Sequence, residues 1–433
     1  MQKTLKEILV NTKLLPQNPK HLDFNICGLA FDSRKVKKDF LFFALPGVHV
    51  DGNLFIKNAI ENGAKAVVFQ GELPQNITMQ QFSDIAFIKT DDSRFCMAAI
   101  SDAFYDFPSK KLVIFGVTGT EGKSSTVFFT WQLLKFLGIK AGFISTVEYS
   151  LGNEALPNPE HQTTPEAPLI NEKLYQMLQN GCTHAVIESS SHGLSVKTNR
   201  LGSILFDAAS FMNVTHEHLE FHGTYEKYKD DKANLFKNLA CHNHKKGEKI
   251  INACGAVNID DKAFEDFAKK ANPIKVVGFS INPNMNAETL PQNSILKRVL
   301  CAKKITTNAT GFNFIIEDFA LDESQNWKIS QSLNCKMNIS GNFNAYNAMA
   351  SLIMVENVCN CSLKTLVEYL PQIKPVRGRM TKIEAGQDFE ILVDYAHTPS
   401  SFNTIFPPIK ERAAGKIISL FGPPLLTLMY QSS

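Results

Sequence analysis

The densest chemistry in the chain lies in the run Gly116 to Ser125, GVTGTEGKSS. Glycines let backbone N–H groups close around phosphate oxygens, and a helix that starts at the end of such a loop adds partial positive charge. Gly119, Thr120, Gly122 and Lys123 are therefore placed to hold the phosphates of a nucleotide, with Lys123 reaching the terminal ones and Ser124 able to ligate Mg²⁺. The spacing departs from G-x-x-x-x-G-K-[ST], because Val117 occupies the first glycine position and Gly116 lies one residue earlier. The assignment rests on the setting of buried strand, loop and helix, and ATP is the expected guest. Glu121 fits poorly there, since phosphates repel a carboxylate, so its side chain is expected to face outward.

Two further segments carry chemistry. In AVIESSSHGL, Glu188 ends a buried strand on the same edge as the glycine loop. Ligands of an open parallel sheet bind beyond the carboxyl ends of its strands, and a carboxylate there can hold Mg²⁺ against a nucleotide. In NVTHEHLEFHGTYEKYKDDKANLF (213–236), His216, His218 and His222 precede a helix bearing Lys227, Lys229 and Lys232. The i, i+2, i+6 spacing puts the histidines on different faces and no cysteine accompanies them, so on residue types alone they are surface histidines rather than a zinc site.

The elements that position these residues follow from periodicity. A strand is expected over Leu112 to Val117 and a helix over Ser125 to Leu137. Strand-like runs at 141–145, 184–188 and 206–214 alternate with helical stretches Pro168 to Gln179 and Tyr225 to Leu239. This is the pattern of an α/β protein with a mostly parallel sheet covered by helices on both faces. Between about 250 and 335, β-prone runs such as 312–319 predict an antiparallel patch at the sheet's edge, and a helix over Ala345 to Val358 follows. Before the central unit, LFFAL (41–45) and KAVVF (65–69) predict a small α/β unit. After Pro371 and Pro375 a third unit begins, with strands at 390–395 and 416–422. The expected domains are 1–108, 109–375 and 376–433. A doubly wound domain needs several βαβ units of roughly 30 residues each, so the third is expected to be incomplete, with a tail like a frame-shifted end.

With 45 Lys and Arg against 42 Asp and Glu, and no long basic run, the footprint of a nucleic-acid binder is missing. No segment has the apolar length of a signal peptide or membrane span, so a cytoplasmic protein with no membrane partner is expected. The nine cysteines form no C-x-x-C pair, and their odd number argues for reduced core thiols. Cys359 and Cys361 alone make a weak metal site.

Taken together the motifs resemble those of the Mur ligases. TGTEGKSS resembles that family's TGTNGKTT nucleotide loop, ESSSHGL resembles EVSSHGL, and VTHEHLEFHG with DDKANLF resembles its metal and lysine segment. GNFNAYNAMA (341–350), RGRM (377–380) and VDYAHTPSSF (393–402) fit as well, in the family's order. HQTTPEA (161–167) and DSR (32–34) resemble the branch that joins a diamino acid to UDP-N-acetylmuramoyl-L-alanyl-D-glutamate.

The resemblance implies an ATP-dependent amide ligase of bacterial cell-wall precursor synthesis, monomeric, with ATP and Mg²⁺ as cofactors. It implies that Ser124, Glu188 and His218 ligate the metal together with Lys232, carbamylated in the family, and that Lys123, Lys232 and His218 serve catalysis. Asn347 would face adenine, and Arg379, Asp394 and His397 would approach the nucleotide from the third unit. Ser33, Thr163, Thr164, Ser190 and Arg200 would hold the UDP-muramoyl-dipeptide, with His49 near the uridine. The family's DNPR-type acceptor motif is absent. Alternatives are a folylpolyglutamate synthetase or another ligase of the superfamily, and a non-catalytic fragment that binds only nucleotide or UDP-sugar.

Overall fold

The computed structural model describes residues 1–421 apart from 13, 18–21, 48–49, 161, 216, 218, 293, 309–310, 397–398 and 414, with only the backbone described at 219, 399–400, 404, 408 and 411–412. Near the N-terminus, strands β1 (Gly28–Ala30), β2 (Phe40–Phe43), β3 (Ala64–Gln70) and β4 (Ala86–Thr90) form a parallel sheet in sequential order. Helix α1 (Ser93–Phe104) follows, its first turn capped by Asp92, whose carboxylate accepts from the N–H groups of Arg94 and Phe95.

The large sheet begins with β5 (Val113–Thr118), whose six residues are all buried. Its partners are β6 (Ala141–Ile144), β7 (Glu148–Ser150), β8 (Leu156–Pro157), β9 (His184–Glu188) and β10 (Ala208–Phe211). Beyond them lie β11 (Cys254–Asn258), β12 (Lys275–Ser280), β13 (Arg298–Asn308), β14 (Gly311–Leu321) and β15 (Trp327–Met337). The order is β8-β7-β6-β9-β5-β10-β11-β12-β13-β14-β15. Pairing is parallel from β6 across to β13 and antiparallel at both margins. The expected antiparallel patch is thus β13 to β15. Central strands that carry apolar residues on both faces can only be satisfied by covering layers on each side.

Those layers are helices. On one face α2 (Lys123–Phe136) packs against α7 (Asn344–Cys359), in a core that includes Phe115, Phe129, Phe143 and Leu352. On the other lie α3 (Ala167–Gln179) and α6 (Tyr225–Leu239), with the short helices α4 (Ser191–Leu194) and α5 (Leu219–His222) between them. Helix α6 buries Tyr228, Lys232, Ala233, Leu235, Phe236 and Leu239, one stripe at helical spacing, and Thr224 caps it by accepting from the Lys227 N–H. The anticipated helices are present, displaced at their ends by no more than two residues.

Downstream, β16 (Thr381–Ile383) pairs with β17 (Ile391–Val393) as a short antiparallel ladder, and α8 (Pro399–Arg412) follows. The strand expected over 416–422 is not formed in its described part, 416–421. Backbone N–H and C=O groups become a strand only against a partner, and here Ile418, Leu420 and Phe421 stay 84%, 96% and 74% exposed. The core-thiol expectation also needs correcting, because Cys27 and Cys241 are exposed although all nine thiols are free. No described helix is long and apolar enough to cross a membrane.

Candidate functional site

Three strand ends meet at one edge of the large sheet. Chain order runs from the central β5 outward to β6, back to β9, then across β5 to β10. That reversal is the place where an open α/β sheet leaves a crevice beyond its carboxyl ends. Thr118, Glu188 and Phe211 end the three central strands there.

The glycine loop is pinned from β10. Asn213, two residues past that strand, accepts from the Thr120 N–H through both its carbonyl (2.9 Å) and its side-chain oxygen (3.1 Å), and from the Glu121 N–H at 2.9 Å. Gly122 begins α2 with φ +82°, and a β-carbon there would stand 2.7 Å from Asn347 Oδ1, so the turn requires glycine on two counts. A β-carbon on Gly119 would likewise meet Met212 Cβ at 2.8 Å. The first turn of α2 has no side-chain cap, which leaves its N–H groups for an anion. Glu121 does not face outward as expected: one of its oxygens is out of solvent contact.

Two ammonium groups lean on the loop's carbonyls. Lys123 Nζ donates to the Thr120 oxygen at 2.6 Å, and Lys232 Nζ to the Gly119 oxygen at 2.6 Å. Lys232 is buried and lies 4.5 Å above the centre of the Tyr228 ring. Loss of solvent around both ammoniums lowers their pKa values, and the charge of Lys123 lowers that of Lys232 further, to well below the usual lysine range. Tyr228 in turn shares a hydrogen bond with the Thr120 hydroxyl at 3.1 Å.

Glu188 is buried and accepts four hydrogen bonds: from Ser124 Oγ (3.2 Å), Ser145 Oγ (2.5 Å), the Thr146 N–H (2.9 Å) and Thr146 Oγ1 (3.0 Å). The carboxylate therefore joins β9, α2 and the turn after β6. Beside it, Thr164 Oγ1 donates to the Glu188 carbonyl at 2.9 Å and accepts from the Ser190 N–H at 3.0 Å. Thr146 Oγ1, whose one hydrogen goes to Glu188, lies 3.1 Å from Thr163 Oγ1 and accepts from it. Arg200 donates to the Thr164 carbonyl at 2.9 Å and pairs with Glu166 at 2.8 Å, and Glu166 also faces Arg94 at 3.6 Å.

The structure thus gathers Gly119, Thr120, Gly122, Lys123, Ser124, Glu188 and Lys232 on one side, with Thr163, Thr164, Ser190 and Arg200 alongside. Asn347 is buried against the loop's helix, accepting from Thr126 Oγ1 at 3.1 Å and donating to Asn344 at 2.9 Å. The Arg379 guanidinium is near enough to depress the Lys123 pKa, and it stacks 5.0 Å over the Tyr395 ring. Asp394 is spent locally, accepting from the Met380 and Ala396 N–H groups at 2.7 Å each. Ser33 lies in the turn after β1 of the other sheet, where its carbonyl accepts from Asn62 Nδ2 at 3.0 Å. His49, His218 and His397 lie outside the described residues. His222 departs from the surface expectation: it is buried, held between Asp231 and Ser191. The sequence reading overlooked Asn213, Ser145, Thr146 and Tyr228. Asn213 follows the end of β10, and Ser145 and Thr146 follow the end of β6, so the strand-end rule could have flagged all three, whereas nothing local marks Tyr228.

Residues 117–355 match the family model described as the Mur ligase middle domain, and residues 25–105 match that described as the Mur ligase family, catalytic domain. UDP-N-acetylmuramyl-tripeptide synthetase of Treponema denticola is 45% identical over 92% of this chain and 73% of its own length. The solved structure of a UDP-N-acetylmuramoyl-L-alanyl-D-glutamate–2,6-diaminopimelate ligase superposes with a TM-score of 0.68 at 24% identity, covering 95% of this chain and 74% of that one. The MurF ligase of Thermotoga maritima in complex with ADP has the same fold, with a TM-score of 0.55 at 20% identity over 87% of this chain and 73% of its own.

Proposed function

The chain belongs to the Mur ligase family of ATP-dependent amide ligases in peptidoglycan precursor synthesis, and from that premise we propose that it joins a diamino acid to UDP-N-acetylmuramoyl-L-alanyl-D-glutamate. The observation that carries the proposal is the meeting of Ser124 with Glu188, at 3.2 Å, beside a glycine loop overlaid by Lys123 and Lys232. ATP is the phosphate-bearing substrate, placed at the start of α2.

A free carboxylate resists attack by an amine, so it must first be activated. The D-glutamyl side-chain carboxylate oxygen attacks the γ-phosphorus of ATP, the bond to ADP breaks, and an acyl phosphate forms. The amine nitrogen of the diamino acid then attacks the acyl carbon, phosphate departs with the former carboxylate oxygen, and the nitrogen loses its proton. Lys123 offsets charge on the terminal phosphate, and most of the acceleration comes from positioning and electrostatics. Thr163, Thr164 and Ser190 line the dipeptide's path, and Arg200, whose planar fork is held by Glu166 and the Thr164 carbonyl, keeps a positive charge beside them for the substrate's carboxylate. Ser33 would hold the UDP end. Arg379 and His397 would approach the nucleotide on closure of the third unit, with Asp394 holding the backbone between them, and Asn347 would border the adenine. The proposed domains are 1–108, 109–375 and 376–433.

The oxygen donors Ser124 and Glu188 suit Mg²⁺, and His218 would join them. Lys232 fits only after its nitrogen has taken up CO₂, which replaces an ammonium by a carbamate oxygen. Its lowered pKa favours the neutral amine that this reaction needs. When bound, the cation supplies neutralisation of charge on the phosphates.

The test is ADP release with ATP, Mg²⁺ and UDP-N-acetylmuramoyl-L-alanyl-D-glutamate, adding meso-diaminopimelate, lysine or ornithine in turn. Turnover that needs both the dipeptide and one diamino acid is expected. Turnover with a folate and glutamate instead, or binding of ATP and dipeptide with no tripeptide formed, would overturn the proposal.

A further inference from the structure

We infer that Ser191, His222 and Asp231 form a positioning relay that fixes the dipeptide-binding loop against the helix bearing Lys232. The inference deepens the ligase proposal and rests on it for the identity of what is positioned. His222, at the end of α5, is 2% exposed. Its Nδ1 lies 2.7 Å from Asp231 Oδ2 and its Nε2 lies 3.1 Å from Ser191 Oγ. A carboxylate accepts, so Nδ1 carries the hydrogen toward Asp231, and Nε2 shares its hydrogen bond with the Ser191 hydroxyl.

Each end of the relay adjoins a residue of the site. Ser191 follows Ser190, whose N–H donates to Thr164 and whose Oγ accepts from the Gly193 N–H at 3.1 Å. Asp231 precedes Lys232, whose ammonium rests on Gly119. A third link runs through Tyr228, whose ring stands edge-on to His222 with centroids 5.1 Å apart and whose hydroxyl meets Thr120. One imidazole thus lies where the segments carrying Ser190, Lys232 and Thr120 converge. Serine, histidine and aspartate in this order could activate a nucleophile. Here Ser191 is itself only 2% exposed, which leaves no room for an acyl group on its oxygen, so the work of the relay is geometric. Sequence alone conceals it, because the three residues belong to α4, α5 and α6.

The experiment is calorimetric titration of the full chain with UDP-N-acetylmuramoyl-L-alanyl-D-glutamate and, separately, with ATP. It compares wild type, Ser191→Ala, Asp231→Asn, His222→Leu and the Ser191→Ala/His222→Leu double variant, with melting temperatures measured in parallel. Each single change is expected to weaken dipeptide binding about tenfold and ATP binding less than about threefold, and the double variant to be no weaker than the worse single one, since groups that act as a unit are non-additive. A merely structural role would weaken both ligands with the melting temperature and would leave no such split. Dipeptide affinity unchanged in folded Ser191→Ala, or additive losses in the double variant, would overturn the relay. If His222→Leu fails to fold, Ser191→Ala and Asp231→Asn decide by the same split. Wild-type protein that takes ATP but no dipeptide would overturn the ligase proposal, and with it the relay's purpose.

Discussion

Lys232 Nζ donates to the Gly119 carbonyl at 2.6 Å, across 113 positions of sequence, and so ties α6 to the glycine loop. Burial disfavours the charged form of Lys232, and among the charges that act on it the repulsion from Lys123 is the largest, so it is poorly stabilised as an ammonium.

That strain predicts a gain on removal. Lys232→Met keeps the stem's volume and deletes the charge, and it should stabilise the unliganded protein at neutral pH by up to about 4 kcal/mol while abolishing ligation. The pH sign follows from linkage. With the folded pKa lowered, the unfolded chain holds more protons between that pKa and about 10.4, so the lysine's contribution to stability rises with pH across this window and is lost as pH falls through the folded pKa. Denaturant unfolding at several pH values should show a shallower rise for Lys232→Met, and an equal rise would contradict the burial of an ammonium.

The neutral amine should also capture CO₂. Protein equilibrated with ¹³C-bicarbonate is expected to show a carbamate carbon resonance that strengthens from acid to alkaline pH and is missing in Lys232→Met. Persistence of the signal in that variant would move the modification elsewhere.

Asn213 holds the loop from outside it. Asn213→Ala strips the side-chain acceptor shared by the Thr120 and Glu121 N–H groups, so stability should fall by about 1–3 kcal/mol. ATP affinity should fall with it, by about tenfold, because a loosened loop must be reordered on binding. Chemical denaturation and calorimetry on the same variant check both.

Glycines of like backbone angle should respond differently to alanine. At Gly122, φ +82°, the new β-carbon meets Asn347 Oδ1, whereas at Gly138, φ +74°, nothing lies within 4 Å. Gly138→Ala should cost about 1–2 kcal/mol from the left-handed conformation alone. Gly122→Ala should cost more and also weaken ATP binding.

Much of this site was legible in the chain because its parts are local. The strand before the loop and the helix after it announce themselves by apolar periodicity, and Lys123, Ser124 and Glu188 sit at fixed offsets from strand ends. The hydrogen-bond shell of Glu188 was overlooked, since Ser145 and Thr146 follow the end of a neighbouring strand and carry no motif. His222 was misjudged for a related reason: its burial depends on α5 lying against α6 and α4, which short-range spacing does not encode. Residues 416–421, the described part of the strand expected at 416–422, show the converse, an apolar run that pairs with no neighbouring strand among the described residues.

The most direct test of phosphate binding at the loop is the ATP dissociation constant of Lys123→Ala against wild type, measured by calorimetry. A bound triphosphate that loses its charged hydrogen-bond donor should dissociate with a constant raised about 10- to 100-fold, the equivalent of about 1.5–3 kcal/mol. An unchanged constant in a folded variant would contradict the placement of ATP at the start of α2.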